Sequence, residues 1–411
     1  MEPAFHSPSP SVSEMRELLD RLRVAVRRGT VCDRPATLAR VAGRFLAADD
    51  PLRRRALEAL PVTTGFSPET IEEALPRIFS PLADARAIHR AAAGSQPAFG
   101  VVGFVSAGNV PGVVLPKMVL ALAAGAAVIV KTASAEPVLA ALFAEALEAL
   151  DPALAAGLAV RCWQGGSAEV EEAFFSGVDS LVAYGSDETI AAIAGRRRGP
   201  CTFHGHKLSV GIVRLDRGAD TLALAEAAAV DVALYDQLGC LSPQSLYTIG
   251  GDPAARRRFL DDLARALADA ERRWPPGDVG DGEALAIRRL RDEYEWRELR
   301  GDAVSVRGGD RVASWTLIDE PTPGLRASPL HRTVFVRRLE TIGELRRAVG
   351  EWLPRVECVG IAPWPEPESD RALSALGIPR VARLGEMQRP DLEWRQGGLD
   401  PMAGIIAGDA R

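Results

Sequence analysis

Phe99-Gly-Val-Val-Gly-Phe-Val105, running directly into Ser106-Ala-Gly-Asn-Val-Pro-Gly112, decides the fold. The first run is wholly apolar, which suits a strand buried on both faces. The second is a glycine-bearing loop at the strand's C-terminal end, where open α/β sheets bind ligands. A regular alternation continues from there. A helix over 115–124 leads to a strand over 127–132, a helix over 136–150 and a strand over 158–163. A helix over 168–175, a strand over 180–184 and a helix over 187–195 follow. Strands separated by helices of this length are βαβ units, and they predict a parallel, doubly wound sheet.

Upstream, residues 13–93 read as polar helices with breaks at Pro61 and at Pro76–Pro81, and the proline-rich residues 1–10 read as disordered. Downstream, a second half begins near Cys201. It carries a strand over 208–215, a helix over 220–238, a strand over 246–249 and a charged helix over 254–273. Residues 274–282 (WPPGDVGDG) read as a surface loop, and further strands are expected over 312–318, 333–336 and 356–361.

At 411 residues, two domains are the natural expectation. The formal net charge of −6 argues against nucleic-acid binding, which needs a basic face. The compact basic run Arg196-Arg197-Arg198 reads as a solvated helix end that complements the macrodipole. The longest apolar stretch, 119–130, is interrupted by Gly125 and falls short of the roughly 20 residues of a membrane span. The first residues carry an acidic side chain and prolines, unlike a secretion signal. Five scattered cysteines, at 32, 162, 201, 240 and 358, show neither CxxC pairing nor metal-ligand spacing. That pattern fits a reducing cytoplasmic setting and no metal site.

Neither GxGxxG, nor a P-loop, nor GxSxG, nor HExxH is present. Two residues remain as candidates. Asn109 is held between Gly108 and Pro111; its amide either stabilises an unusual turn or is presented to a ligand. Cys240 lies in Asp236-Gln-Leu-Gly-Cys-Leu-Ser-Pro-Gln244, a polar loop that a substrate can approach. A lone cysteine can equally be a packing residue. Cys162 and Cys201, in or beside strands, read as structural.

The order of motifs resembles the aldehyde dehydrogenase superfamily, and within it the LuxC-type acyl-CoA reductases. The resemblance rests on SAGNVPG at 106–112, Ile129-Val-Lys-Thr132, Ala183-Tyr-Gly-Ser186, Phe203-His-Gly-His-Lys207 and the DQLGCLSPQ segment, in order over residues 95–250. The tail Arg383-Leu-Gly-Glu-Met387 with Leu392-Glu-Trp394 is similar to the family's C-terminal segment.

The resemblance implies an aldehyde dehydrogenase-like α/β fold. Residues 1–205 would hold the N-terminal helices and the nicotinamide-binding domain, 206–385 the catalytic domain, and 386–411 a C-terminal segment for packing or oligomerisation. It implies Cys240 as nucleophile, with the Asn109 amide and the Cys240 backbone N–H as an oxyanion hole. Lys131 would bind the adenosine ribose, Gly185 and Ser186 would lie along the pyrophosphate, and Ser106 and Ser134 join the cofactor set. The implied substrate is an acyl group on coenzyme A or a carrier protein, reduced to an aldehyde. A thioester's good leaving group lets a cysteine exchange onto it without a strong acid.

One departure separates the branches. Hydrolytic relatives carry a water-activating glutamate where this sequence has Phe203, so reduction or thiol exchange is expected over hydrolysis. His204 or His206 is a candidate proton donor, with a histidine simply hydrogen-bonded in the sheet as the plainer reading. Relatives preferring NAD often carry an acidic residue three positions after the lysine. Ser134 stands there, which points to NADPH over NADH, unless Glu136 turns inward and restores repulsion of the 2′-phosphate. The rival readings are an aldehyde dehydrogenase working oxidatively and a non-catalytic subunit retaining the fold.

Overall fold

The computed structural model describes residues 9–28, 33–93, 98–163, 165–364 and 367–407. Cys32 and most of the proline-rich start lie outside the described residues. The chain divides into two compact units, Met1–His206 with Asp391–Arg411, and Lys207–Pro390.

The first unit is built on β1 (Val101–Val105), β2 (Ala127–Thr132), β3 (Leu158–Cys162), β4 (Ser180–Tyr184) and β5 (Cys201–His204), in the order β3-β2-β1-β4-β5. All neighbours pair in parallel. Every residue of β1 and β4 is buried, as strands covered on both faces require. The chain winds outward from β1 through β2 to β3, then returns to place β4 on the other side of β1. The switch point therefore lies between β1 and β4, flanked by the loop after Val105 and the turn after Tyr184. Tight packing sets the helix–strand turns. Gly125 adopts φ +98°, closes helix Leu115–Ala124 and lets the chain enter β2 at once.

One face of this sheet packs Phe174, Trp163 and Ile193 against Met15, Leu19 and Leu22 of helix Val12–Arg28. Phe174 and Trp163 meet edge to face at 5.5 Å. Burying a side chain such as Phe174 is worth about 1.5–3 kcal/mol.

The expected breaks fall just after Pro61 and Pro76, which lie inside helices Pro51–Thr64 and Pro68–Phe79; the second helix ends at Phe79, within the expected 76–81 window. Each sits in its helix's final turn, and its carbonyl still accepts a backbone N–H, from Gly65 and from Ser80. Only one ladder bond is forfeited, which a helix end tolerates. The Arg196–Arg198 run differs from a merely solvated helix end. Arg196 pairs with Glu171 at 2.5 Å and donates to the Ala168 carbonyl at 2.9 Å, while Arg197 donates to the Phe175 and Asp179 carbonyls.

The second unit carries β6 (Leu208–Arg214), β7 (Pro243–Ile249), β8 (Ser305–Gly308), β9 (Thr316–Asp319), β10 (Thr333–Leu339), β11 (Val356–Ala362) and β12 (Arg380–Arg383). Their order is β12-β11-β6-β7-β10-β9-β8, parallel except for the terminal β8–β9 pair. The strand expected over 312–318 is thus shifted to Thr316–Asp319 and joined by an antiparallel partner. β7 begins three residues earlier than expected because Pro243 occupies its first position, where a missing N–H is tolerated. A charged helix, Asp281–Leu299, buries only Ile287, Leu290 and Tyr294. The helix expected over 220–238 ends at Ala233 instead, since Tyr235, Asp236 and Gln237 all take left-handed backbone angles.

Residues 391–411 group with the first unit, and Lys117 helps anchor them. Its buried ammonium donates to the Pro401 and Ala403 carbonyls at 3.1 Å each. Burial lowers its pKa to about 8, with Asp400 opposing. A lysine depressed in the folded state binds fewer protons there than when unfolded, so its penalty fades as pH rises from 8 to 10.5. Relative to Lys117→Met, the wild type should therefore gain about 3 kcal/mol of stability across that window. Denaturant unfolding of both proteins at each pH checks this, and a flat difference contradicts it.

Candidate active site

In the first unit the candidate cofactor residues gather at the C-terminal ends of β1, β2 and β4. Register places Val105 beside Lys131, and the Ser106 N–H donates to the Lys131 carbonyl at 2.9 Å. Ser106 is buried, and its hydroxyl donates to the Ala107 carbonyl at 3.0 Å. Beyond it the loop lies tightly on the turn after β2. A Cβ built on Gly108 would stand 2.9 Å from that of Ala133. Asn109 is exposed at the loop's crest.

Lys131 is half-buried, its Nζ 5.3 Å from the centre of the Trp163 ring. Burial lowers its pKa, opposed by Glu171 and Cys162. Ser134 and Ala135 form the exposed tip of a turn closed by the Glu136 N–H on the Ala133 carbonyl at 3.1 Å. Glu136 itself is buried. Its carboxylate accepts the N–H groups of Gly112, Val138 and Leu139 at 3.2, 3.1 and 2.8 Å. Burial raises its pKa to about 7, against the pull of those amides. Glu136 therefore ties the loop after β1 to the start of helix Val138–Leu150.

After β4, Ser186 caps helix Asp187–Arg196 by accepting the Thr189 N–H at 3.3 Å. Gly185 precedes it without a side chain; a Cβ there would meet Thr189 at 3.0 Å. Helix N-terminal amides beside such a glycine form a setting that accepts phosphate. An exposed turn carrying Ser134, a partly sheltered lysine and a helix N-terminus at one end of a parallel sheet could hold the phosphate and ribose groups of a dinucleotide.

The two histidines part company. His204 is buried on β5, its ring stacked 4.7 Å from Tyr184 on β4. His206 is exposed beyond the strand, and its backbone N–H donates to Asp187 at 3.1 Å. Phe203 packs against the apolar cluster around Phe174 and Ile193.

Cys240 belongs to the second unit. Its carbonyl accepts the Ser209 hydroxyl of β6 at 2.7 Å. The Gln237 side-chain amide donates to the Pro243 carbonyl at 2.8 Å, closing a loop around residues 238–242. Ser242 accepts the Gln388 amide at 2.7 Å, and Gln244 accepts the Ser328 N–H at 3.1 Å. Just before the loop, Asp236 pairs with Arg332 at 2.7 Å and accepts the Gly277 N–H at 3.0 Å. Pairing of β11 with β6 shifts register between Val356 and Cys358, placing the fully buried Glu357 at a bulge next to the pair Cys358–Ser209. Motif reading singled out none of these contacts, because Arg332, Ser328, Glu357 and Gln388 lie far along the chain from Cys240.

Although Cys240 as a residue is only half-buried, the protein packed around its thiol pushes the pKa up to about 12. Burial is the main cause, and the negative charge of Glu357 and the neighbouring Cys358 thiol add to it; Lys207 pulls weakly the other way. Among the described residues no His/Cys/Asp/Glu group is placed to hold a metal, and no helix is long and apolar enough to cross a membrane.

Both sheets and their connections define the aldehyde dehydrogenase fold. A glyceraldehyde-3-phosphate dehydrogenase from Methanocaldococcus jannaschii, complexed with NADP, superposes with a TM-score of 0.73 at 13% identity, covering 97% of this chain and 91% of that one. The aldehyde dehydrogenase KauB from Pseudomonas aeruginosa gives 0.72 at 19% identity, covering 98% and 87%. Within that fold the chain belongs to the acyl-CoA reductase (LuxC) family, whose model matches residues 48–404. A long-chain acyl-protein thioester reductase from Aliivibrio fischeri is 27% identical over 292 residues, covering 70% of this chain and 58% of the relative. The matched chain thus spans less than two thirds of that relative's length.

A thiol raised to about 12 is almost wholly neutral at pH 7. Iodoacetamide alkylation of Cys240 in the ligand-free protein should therefore keep accelerating with pH through pH 10. A rate that levels off by pH 8 contradicts this environment.

Proposed function

We propose that the protein reduces an acyl thioester, carried on coenzyme A or on a protein, to an aldehyde with NADPH, through an acyl group held on Cys240. The observation that carries this reading is the family match over residues 48–404, a span that includes the pinned Cys240 loop. The Aliivibrio fischeri relative is named for acyl-protein thioesters, which favours a carrier-bound acyl group.

The exchange step is balanced within the chain and its substrate. A bond forms between Cys240 Sγ and the acyl carbon, the thioester carbon–sulfur bond breaks, and the Cys240 proton leaves with the departing thiol. No net proton is consumed, so a thiol that is neutral at rest is compatible with the step when ionisation accompanies attack. The Asn109 amide and the Cys240 N–H are assigned to the acyl oxygen, on which negative charge develops. When bound, NADPH would supply the hydride to the acyl carbon. The bond from that carbon to Cys240 Sγ then breaks, the aldehyde leaves, and the Cys240 sulfur takes one proton from solvent to return to its neutral thiol.

Lys131, Ser134, Gly185 and Ser186 are assigned to holding that cofactor. With Glu136 buried on three backbone amides, the turn at Ser134–Ala135 presents only neutral side chains, which supports a 2′-phosphate. His206 is exposed while His204 is held inside the sheet, so His206 is assigned as the candidate proton donor. Phe203 offers no base to activate water, which favours reduction over hydrolysis.

Steady-state assays with an acyl thioester and each reduced nicotinamide test the reading. Aldehyde should form more efficiently with NADPH than with NADH. Cys240→Ala should abolish it while cofactor binding persists, and Cys162→Ala and Cys201→Ala should stay active. Undiminished turnover in Cys240→Ala overturns the mechanism, and equal efficiency with NADH overturns the cofactor assignment.

A further inference from the structure

Six non-glycine residues take positive φ among the described residues, and they fall in two runs of three. Tyr235, Asp236 and Gln237 have φ of 55°, 49° and 63°; Leu330, His331 and Arg332 have 66°, 49° and 61°. Left-handed backbone crowds each Cβ against a carbonyl, so three consecutive such residues persist only where their surroundings over-determine them. Here the two runs are fastened to each other. Asp236 Oδ1 accepts from Arg332 Nε at 2.8 Å and lies 2.7 Å from Nη2, with both residues almost wholly buried. The first run stands directly before the Cys240 loop.

The second run reaches the loop's far end as well. Ser328 N–H donates to Gln244 Oε1, the Ser328 hydroxyl accepts the Leu330 N–H at 2.9 Å and donates to the Thr333 carbonyl at 2.5 Å. One short segment, residues 328–332, thus holds the chain on both sides of Cys240, at Asp236 and at Gln244. A buried ion pair contributes little net stability, because desolvating both charges costs about what their attraction returns. Its attested use is to fix one conformation among several.

We propose that Ser328–Arg332 is a positioning strap for Cys240, with Asp236 and Arg332 as positioning residues that keep the cysteine loop in its reactive arrangement. The proposal rests on the assignment of Cys240 as the acyl-accepting nucleophile. With the clasp in place, the left-handed turn at Tyr235–Gln237 directs Gln237 onto the Pro243 carbonyl and keeps Cys240 against Ser209. Without it, the turn relaxes toward ordinary backbone angles, the loop opens and the thiol loses its packed surroundings.

Two opposite changes follow. Cys240 should become easier for a small reagent to reach, yet worse at taking an acyl group. The test uses the full-length protein carrying Asp236→Asn with Arg332→Gln, which removes both charges and leaves neither ion alone in the interior. Gln244→Leu is a milder variant that releases only the far end of the loop. Iodoacetamide labelling is followed by peptide mapping, with Cys162, Cys201 and Cys358 as internal references, and acyl transfer from an acyl thioester is followed by intact mass.

The paired variant should label faster at Cys240 while the three reference cysteines keep their wild-type rates. Its acyl-transfer rate should fall by about 10²-fold, the scale of a misplaced reacting group. Gln244→Leu should move both rates in the same directions by less. Faster labelling at all four cysteines in both variants would mean general loosening and would overturn the proposal, as would wild-type labelling and acyl transfer in both. If labelling of Cys240 responds selectively but the wild type never acquires an acyl group there, the strap stands and the proposed function fails.

Discussion

Parallel strand pairing with both faces covered constrains everything else in this molecule. β1 and β4 are buried along their whole lengths, and so is nearly all of β6, β7 and β11. Such strands have no solvent side on which to carry polar chemistry, so recognition is displaced to the ends of strands and to the loops between them. In the first unit this gathers Ser106, Asn109, Lys131, Ser134 and Ser186 from three connections along one edge. In the second it places Cys240 in the connection that leads into β7, where Ser209 of the neighbouring strand can hold its backbone.

The same burial sets the character of the charged groups that serve those loops. Glu136, at a pKa of about 7, is costly to keep ionised, yet three backbone amides and two segments depend on its carboxylate. Cys240 faces the opposite situation: dense packing and the nearby Glu357 hold its thiol neutral at about 12. A resting thiol of this kind resists adventitious oxidation and alkylation, since the thiolate is the reactive species. Its chemistry then depends on geometry, and the hydrogen bonds around residues 236–244 supply that geometry.

Strands β1 to β4 of the first unit were legible as short, mainly apolar runs separated by helices of regular period, whereas β5, with the sequence Cys-Thr-Phe-His, carries too little apolar signal to be read as a strand. The edges of the second sheet were harder. β8 and β9 are four residues each with little apolar signal, and helix Asp281–Leu299 buries only three side chains. Pro61 and Pro76 marked the helix ends to within three residues, since a proline in a final turn costs one bond and the helix stops just beyond it. The break at Tyr235–Gln237 left no local sign, since left-handed backbone usually announces itself through glycine or asparagine. What enforces it is Arg332, remote in sequence, and a contact of that kind is written in the fold rather than in a motif. The candidate residues on recognisable loops, Asn109, Lys131, Ser186 and Cys240, could be named from the resemblance; the residues that hold Cys240 could not.

Wild-type protein incubated with an acyl thioester in the absence of nicotinamide, then digested and mapped by mass spectrometry, tests the central claim most directly. The account predicts one added acyl group, located on Cys240, which a later addition of NADPH removes as aldehyde. An acyl group on another residue, or aldehyde formed with none ever found on Cys240, would contradict it.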